Sequence, residues 1–184
     1  MSVAKIISHM NFHIVVAVDI RNGISKDGKI PWRIPADIRR FRDLTTKTSD
    51  PSKQNAVIMG RKTMDSLPMG FLPGRKNIVI SRRLSKRLKQ TQEISVARSL
   101  DDALEIAGAD RNNVESAFHI GGARSYADAI THPDCAGIYL TRVYSDFECD
   151  LFFPAIPPYY KIKSQSEVMK DAGLNFMYIN YIRS

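Results

Sequence analysis

The sequence predicts an α/β protein whose mostly parallel sheet ends in antiparallel strands. Two patterns carry that expectation: short apolar, β-branched runs alternate with helical periodicity through most of the chain, and strands without intervening helices close it. A third observation bounds it. The chain has 184 residues, 43% hydrophobic and 25% charged, enough for one well-filled core and short for two domains.

Residues 12–19, FHIVVAVD, form an apolar run closed by the turn formers Asn22 and Gly23, as in a strand buried on both faces. Pro35 then opens a helix over residues 35–45, with Ile38, Phe41 and Leu44 at three-residue steps. NAVIMG is a second buried strand, residues 61–66 a short helix and KNIVIS a third strand. SLDDALEIA reads as a helix capped by Ser99. AFHI is a strand that runs into Gly121 and Gly122, and a helix follows over residues 123–130. GIYLTRVY, YYKIKSQS and LNFMYINYI are the closing strands. No repeat or low-complexity segment divides the chain, and Pro154 to Pro158 is too short a proline-rich stretch for a linker. One domain over residues 1–184 is expected, with residues 1–10 an extension of no assigned role.

No window reaches the roughly 18 uninterrupted apolar residues of a membrane span, and MSVAKIISHM lacks the apolar core and cleavage site of a signal peptide, so a soluble cytoplasmic protein is expected. Cys135 and Cys149 share no CxxC or Cys/His context, which favours two reduced thiols and no metal. The four histidines, His9, His13, His119 and His132, are scattered, and no Ser-His-Asp or Cys-His spacing stands out. The 27 basic and 19 acidic residues leave a formal charge of +8, which suits nucleic acid or an anionic small molecule. Arg82, Arg83, Lys86, Arg87 and Lys89 form the densest basic run, either a solvated face or a phosphate site, and aromatics for base stacking are not interleaved with it.

Four constellations could carry chemistry. The first, GISKDGKIPWRIP, joins the first strand to the first helix; Gly23 and Gly28 permit positive φ while Pro31 and Pro35 stiffen its exit, as in a hinged lid. Trp32, the only tryptophan, is a core anchor or a pocket wall, and Asp37 is a helix cap or a carboxylate in an apolar pocket that binds an amidine-like edge. The second, MGRKT, places Arg61, Lys62 and Thr63 at a helix start suited to phosphate. In the third, LPGRKNIVISRR, Arg75 could clamp a carboxylate and Ser81 with Arg82 a phosphate. The fourth, HIGGARSYADAI, sets paired glycines before a helix, a close-approach site for pyrophosphate that is not the GxGxxG fingerprint.

In order, HIVVAVD, GKIPW, IPADIRRF, VIMGRKT, LPGRKNIVIS, RSLDDAL, IGGARSYADA, YLTRV and CDLFFP resemble the dihydrofolate reductase family over about residues 12–154, and less distinctly to Ser184. The resemblance implies a mostly parallel eight-stranded sheet with an antiparallel C-terminal strand, about four helices, and reduction of 7,8-dihydrofolate with NADPH. It makes Asp37 the only buried catalytic carboxylate, hydrogen-bonded by Thr141, with Trp32 and Ile30 beside the water that protonates pterin N5. Val15, Val16, Ala17 and Ile120 would line the pterin end, Phe41, Leu67 and Leu72 the substrate rings, and Arg75 would take the glutamate α-carboxylate. For NADPH it implies Ala17, Ile24, Gly28, Gly60, Arg61, Lys62, Thr63, Ile120 and the run Gly121, Gly122, Ala123, Arg124, Ser125 and Tyr126, with a cis peptide between the two glycines. Ser81, Arg82 and Arg98 would hold the 2′-phosphate.

Hydride would pass from nicotinamide C4 to pterin C6, and lid motion would gate water and product, with Asp150 steadying the closed lid. Implied partners are antifolates such as methotrexate, with the protein either a monomer or a domain joined to thymidylate synthase. Ser25, Met64 and Leu151 depart from the family pattern, the first and last in the lid and its neighbouring loop. A same-fold reductase of a ribosylated pyrimidine would not need the Trp32, Asp37 and Arg75 set. RNA binding is the rival from a different class.

Overall fold

The computed structural model describes residues 10–82 and 93–184. Its elements are β1 (Phe12–Val18), β2 (Gly23–Ser25), α1 (Pro35–Thr46), β3 (Gln54–Gly60), α2 (Arg61–Ser66), β4 (Arg75–Ile80), β5 (Ile94–Ala97), α3 (Leu100–Ala109), β6 (Val114–His119), α4 (Ala123–Thr131), β7 (Cys135–Val143), β8 (Leu151–Phe152), β9 (Tyr160–Gln165), β10 (Met169–Asp171) and β11 (Leu174–Arg183). Eight strands follow the path β10-β11-β7-β1-β6-β3-β4-β5, and β9 joins β11 as a ninth member. The pairs from β7 to β5 are parallel, whereas β11 runs antiparallel to β7, β9 and β10. A separate two-stranded ribbon joins β2 to β8.

Strand alternation divides the core. Ile14, Val16, Ala56, Ile58 and Ile78 pack with Leu100 and Leu104 of α3 and Tyr126 and Ile130 of α4. Val57, Met59 and Val79, their neighbours in sequence, face the other way and pack with Met64 of α2. Both faces of the central strands are therefore covered, as their unbroken apolar runs require. Full burial of each such side chain contributes about 1.5–3 kcal/mol. Met64, a departure from the family pattern, is 4% exposed and fills this second cluster.

Local chemistry sets the helix starts. Pro35 occupies the first turn of α1, where its missing N–H costs nothing. Ser99 caps α3 by accepting the Asp102 amide at 3.1 Å, and Asp101 and Asp102 complement the helix dipole. Ser99→Ala should cost about 1 kcal/mol, a fall of roughly 2–4 °C in a thermal melt. The apolar face expected for α1 is not a core face: Thr45 is the buried residue and Ile38 is 52% exposed. α1 instead turns polar residues toward β7 and β11: Asp37 and Arg40 bond Thr141, and Arg40 bonds Asn180.

Cys135 and Cys149 are both buried free thiols, as expected. Among the described residues no His, Cys, Asp and Glu side chains gather as a metal site, and no helix is long and apolar enough to cross a membrane. Of the basic run, Arg82 alone falls within the described residues, and it is exposed. Residues 1–9 also lie outside them.

Candidate active site

The parallel strands end along one edge of the sheet, in the spatial order β7, β1, β6, β3, β4, β5. Loops leaving such ends are where α/β sheets hold ligands. Thr141 and Asp37 meet at one side. The Thr141 hydroxyl, 2% exposed near the end of β7, donates to Asp37 Oδ1 at 2.6 Å. The cap interpretation of Asp37 fails, because the residue before the helix, Ile34, takes no side-chain cap and the Asp37 carboxylate turns to Thr141.

Burial raises the Asp37 carboxyl above its ordinary range, while the Thr141 hydrogen bond and the charge of Arg40 pull it back. Asp37 itself is partly buried, and among the described residues the completely enclosed carboxylate is Asp19, just past the end of β1. Asp19 Oδ1 accepts the amides of Arg21 at 2.8 Å and Gly23 at 2.6 Å, and Oδ2 accepts that of Phe147 at 3.4 Å. Burial pushes this carboxyl up, but the three amides and the Cys149 thiol outweigh it and hold it below the usual carboxylate range. Cys149 is pushed up to about 11 by burial and the same carboxylate.

Asp19 thereby ties β1 to both loops of the β2–β8 ribbon. A Cβ on Gly23 would overlap Cys149 Cβ and lie 2.7 Å from Asp19 Oδ2, so only glycine fits there. Farther along, the Asp27 amide donates to Asp150 Oδ2 at 2.8 Å and the Asp150 amide to the Ser25 carbonyl at 3.0 Å. This loop is thus tied to residues 150–152 through backbone and one carboxylate. Ser25 does not disturb this, although its buried hydroxyl has no partner; Leu151 is 44% exposed. Gly28 adopts the expected positive φ, 75°.

Trp32 is 8% exposed and packs on Phe147, ring centres 5.0 Å apart, in a cluster with Ile34, Cys149 and Phe176 that includes Ala17. Ile30 beside it is 65% exposed. Val15 and Val16 are buried in β1, and the Val15 carbonyl accepts the Tyr126 hydroxyl at 2.9 Å. Ile24 lies against the main core, while Leu67, Leu72 and Ile120 lie against the second cluster, with Phe41 half-buried on α1. Arg75 donates to Thr45 Oγ1 at 2.9 Å and to the Pro73 carbonyl at 3.0 Å, which fixes its half-buried guanidinium beside α1.

Toward β5 the structure brings the other candidates together. The Gly121–Gly122 bond is cis, as the resemblance implied. The Gly60 amide donates to the Gly121 carbonyl at 2.7 Å, which joins the start of α2 to the start of α4. A Cβ on Gly122 would lie 3.2 Å from Thr63 Oγ1, and one on Gly121 3.3 Å from the Tyr126 hydroxyl. A bare peptide surface therefore meets a hydroxyl and the first amides of α4, whose first turn contains Ala123, Arg124 and Ser125. Lys62 is exposed, as is Arg61, which pairs with Asp65 at 3.6 Å. Beyond them, Ile80 and Ala97 are register partners in β4 and β5, so Ser81, Arg82 and Arg98 leave adjacent strand ends; the Ser81 amide bonds the Ala97 carbonyl at 2.8 Å.

Residue types alone did not reveal His119. It is completely buried, its Nε2 lies 2.6 Å from Ser125 Oγ, and its Nδ1 has no partner. Burial lowers its pKa to about 3, so the ring is neutral at physiological pH.

The fold and this edge define an α/β protein with the loop after β1 bonded to residues 150–152, a half-buried carboxylate at one end and a pair of glycines facing Thr63 at the other. The sequence pattern described as "Dihydrofolate reductase" matches residues 11–183, and the chain belongs to that family. The chain is 36% identical over 176 residues to the dihydrofolate reductase of Drosophila melanogaster, covering 92% of this chain and 96% of that protein. It is 39% identical over 153 residues to that of Heliothis virescens, covering 81% and 82%. It is also 38% identical over 177 residues to bifunctional dihydrofolate reductase-thymidylate synthase 1 of Arabidopsis thaliana, covering 94% of this chain but 34% of that protein. The chain spans about a third of the length of the plant bifunctional relatives it matches.

Proposed function

We propose that this chain is an oxidoreductase that reduces 7,8-dihydrofolate to tetrahydrofolate with NADPH. The observation that carries the proposal is the Asp37–Thr141 pair, 2.6 Å apart beside the lid, together with the family. A carboxylate held in plane by a hydroxyl can accept two hydrogen bonds from an N–C–N edge such as that of a pterin. Asp37 orients and polarises the ring by this pairing, and Thr141 fixes the carboxylate.

The strand ends from Gly121 to Arg98 suit a dinucleotide: the glycine pair carries no Cβ, Thr63 and the α4 amides supply donors, and Arg82 with Arg98 supplies positive charge at the far end. NADPH, when bound, supplies the hydride that the pterin C6 accepts. Val15, Val16, Ala17 and Ile120 shape the ring end, Phe41, Leu67 and Leu72 the middle, and Arg75 takes the glutamate α-carboxylate. Ile30 and Trp32 govern entry of the water that protonates N5, while the latch through Asp150 keeps the lid over the site. Gly60, Arg61, Lys62, Gly28 and Ile24 complete the cofactor contacts. Methotrexate should compete for the pterin end, and the tetrahydrofolate formed would feed one-carbon metabolism. The reading applies to this segment whether it stands alone, as in the insect relatives, or beside a thymidylate synthase, as in the plant ones.

The test is the loss of NADPH absorbance with dihydrofolate, repeated with NADH. Rapid oxidation blocked by methotrexate is expected; a folded protein that leaves NADPH unoxidised overturns the reading. In the same assay Arg98→Ala should raise KM for NADPH about tenfold, the loss of one charge-assisted hydrogen bond, and leave KM for NADH within about twofold.

A further inference from the structure

Arg40 follows Asp37 by one helical turn on α1, and its guanidinium reaches the sheet. Nη2 donates to Asn180 Oδ1 at 2.7 Å and Nη1 to Thr141 Oγ1 at 3.3 Å, and the group lies 4.1 Å from the centre of the Tyr178 ring. Thr141 and Tyr178 are cross-strand partners in β7 and β11, so one cation touches both sides of that pair. These partners are neutral, and the anion that bears on Arg40 is Asp37. A threonine hydroxyl has one proton. With Arg40 donating to its oxygen, that proton is left for Asp37 Oδ1, 2.6 Å away.

We propose that Arg40 is a positioning residue: through Thr141 it fixes the hydroxyl as a donor to Asp37 and keeps that carboxylate ionised in its half-buried setting. The proposal rests on the reductase reading, but the carboxylate can be followed without it. Other groups facing the pair do not substitute for this role. Tyr178 on β11 stays a neutral phenol, its pKa raised by burial and then by Asp37. Asp171 on β10 accepts the Ala36 amide at 2.7 Å, Arg39 on α1 is exposed, and Trp32 contributes no charge. Arg40 opposes the burial that drives Asp37 toward protonation.

The experiment follows the Asp37 side-chain carboxyl by carbon-13 NMR, assigned with Asp37→Asn, in the wild type and in R40M, R40Q and R40K. The titration midpoint should rise by about one pH unit in the two neutral variants and stay near the wild-type value in R40K. The pH–rate midpoint that Asp37 governs should move in the same direction. An unmoved midpoint in whichever neutral variant folds, with only a lower melting temperature, overturns the proposal, as does a displacement in R40K equal to that in R40M. A displaced carboxyl midpoint in a protein that does not reduce dihydrofolate supports the Arg40 coupling and overturns the reductase reading.

Discussion

Asp37→Asn should lower turnover of dihydrofolate at neutral pH by about 100-fold, the scale of removing one preorganised charge-bearing partner from a reacting group. The amide keeps the shape of the side chain and can still accept the Thr141 hydroxyl, so the geometry at β7 survives while the negative charge is lost. The same substitution should leave the melting temperature unchanged or higher. The sign follows from burial: the folded-state pKa of Asp37 is raised, so its ionised form is penalised in the folded protein above that pKa, and the penalty disappears as pH falls through it. Steady-state kinetics beside a thermal melt checks both parts. An activity loss that merely tracks unfolding would remove Asp37 from the chemistry.

The second large effect concerns Gly137, within β7. A Cβ there would land on the Tyr181 carbonyl of β11 and lie 3.2 Å from His13 Cδ2 of β1, so the strand is confined from both sides. Tyr181 presents backbone, which cannot turn aside as a flexible side chain would. Gly137→Ala should therefore cost about 3 kcal/mol, the upper range for overpacking, and lower the melting temperature by roughly 6–12 °C. Because Thr141 lies on the same strand and pairs with Tyr178, activity should fall as well. Denaturant unfolding measures the first effect; a wild-type midpoint would show that β11 moves aside without cost.

Where local chemistry decides, the sequence was legible. Residues 61–66 and the Ser99 cap stand where turn chemistry puts them, and the unbroken apolar runs became strands covered on both faces. Elements held by distant partners were not legible. β2 and β8 have three and two residues, and each exists because the other, more than a hundred residues away, pairs with it. The site divides similarly. Residue types left Asp37 open between cap and pocket acid, and only the ordered family motifs assigned Thr141 to it. Asp19 read as the end of a strand, since one of the three amides that enclose it comes from a loop 128 residues away. Ile38 misled because helical spacing says which residues share a face and not what covers that face.

β11 is the last strand of the segment, yet it sits inside the sheet beside β7. As the polypeptide emerges from a ribosome, Asp37 appears early, Thr141 some hundred residues later, and the Tyr178 and Asn180 side chains that hold Arg40 later still. Vectorial synthesis therefore cannot build the carboxylate's surroundings stepwise from the amino end. Until β11 has emerged, β7 offers an open strand edge to any neighbouring chain, a hazard that shielding by chaperones would meet and that truncation near residue 174 would make permanent.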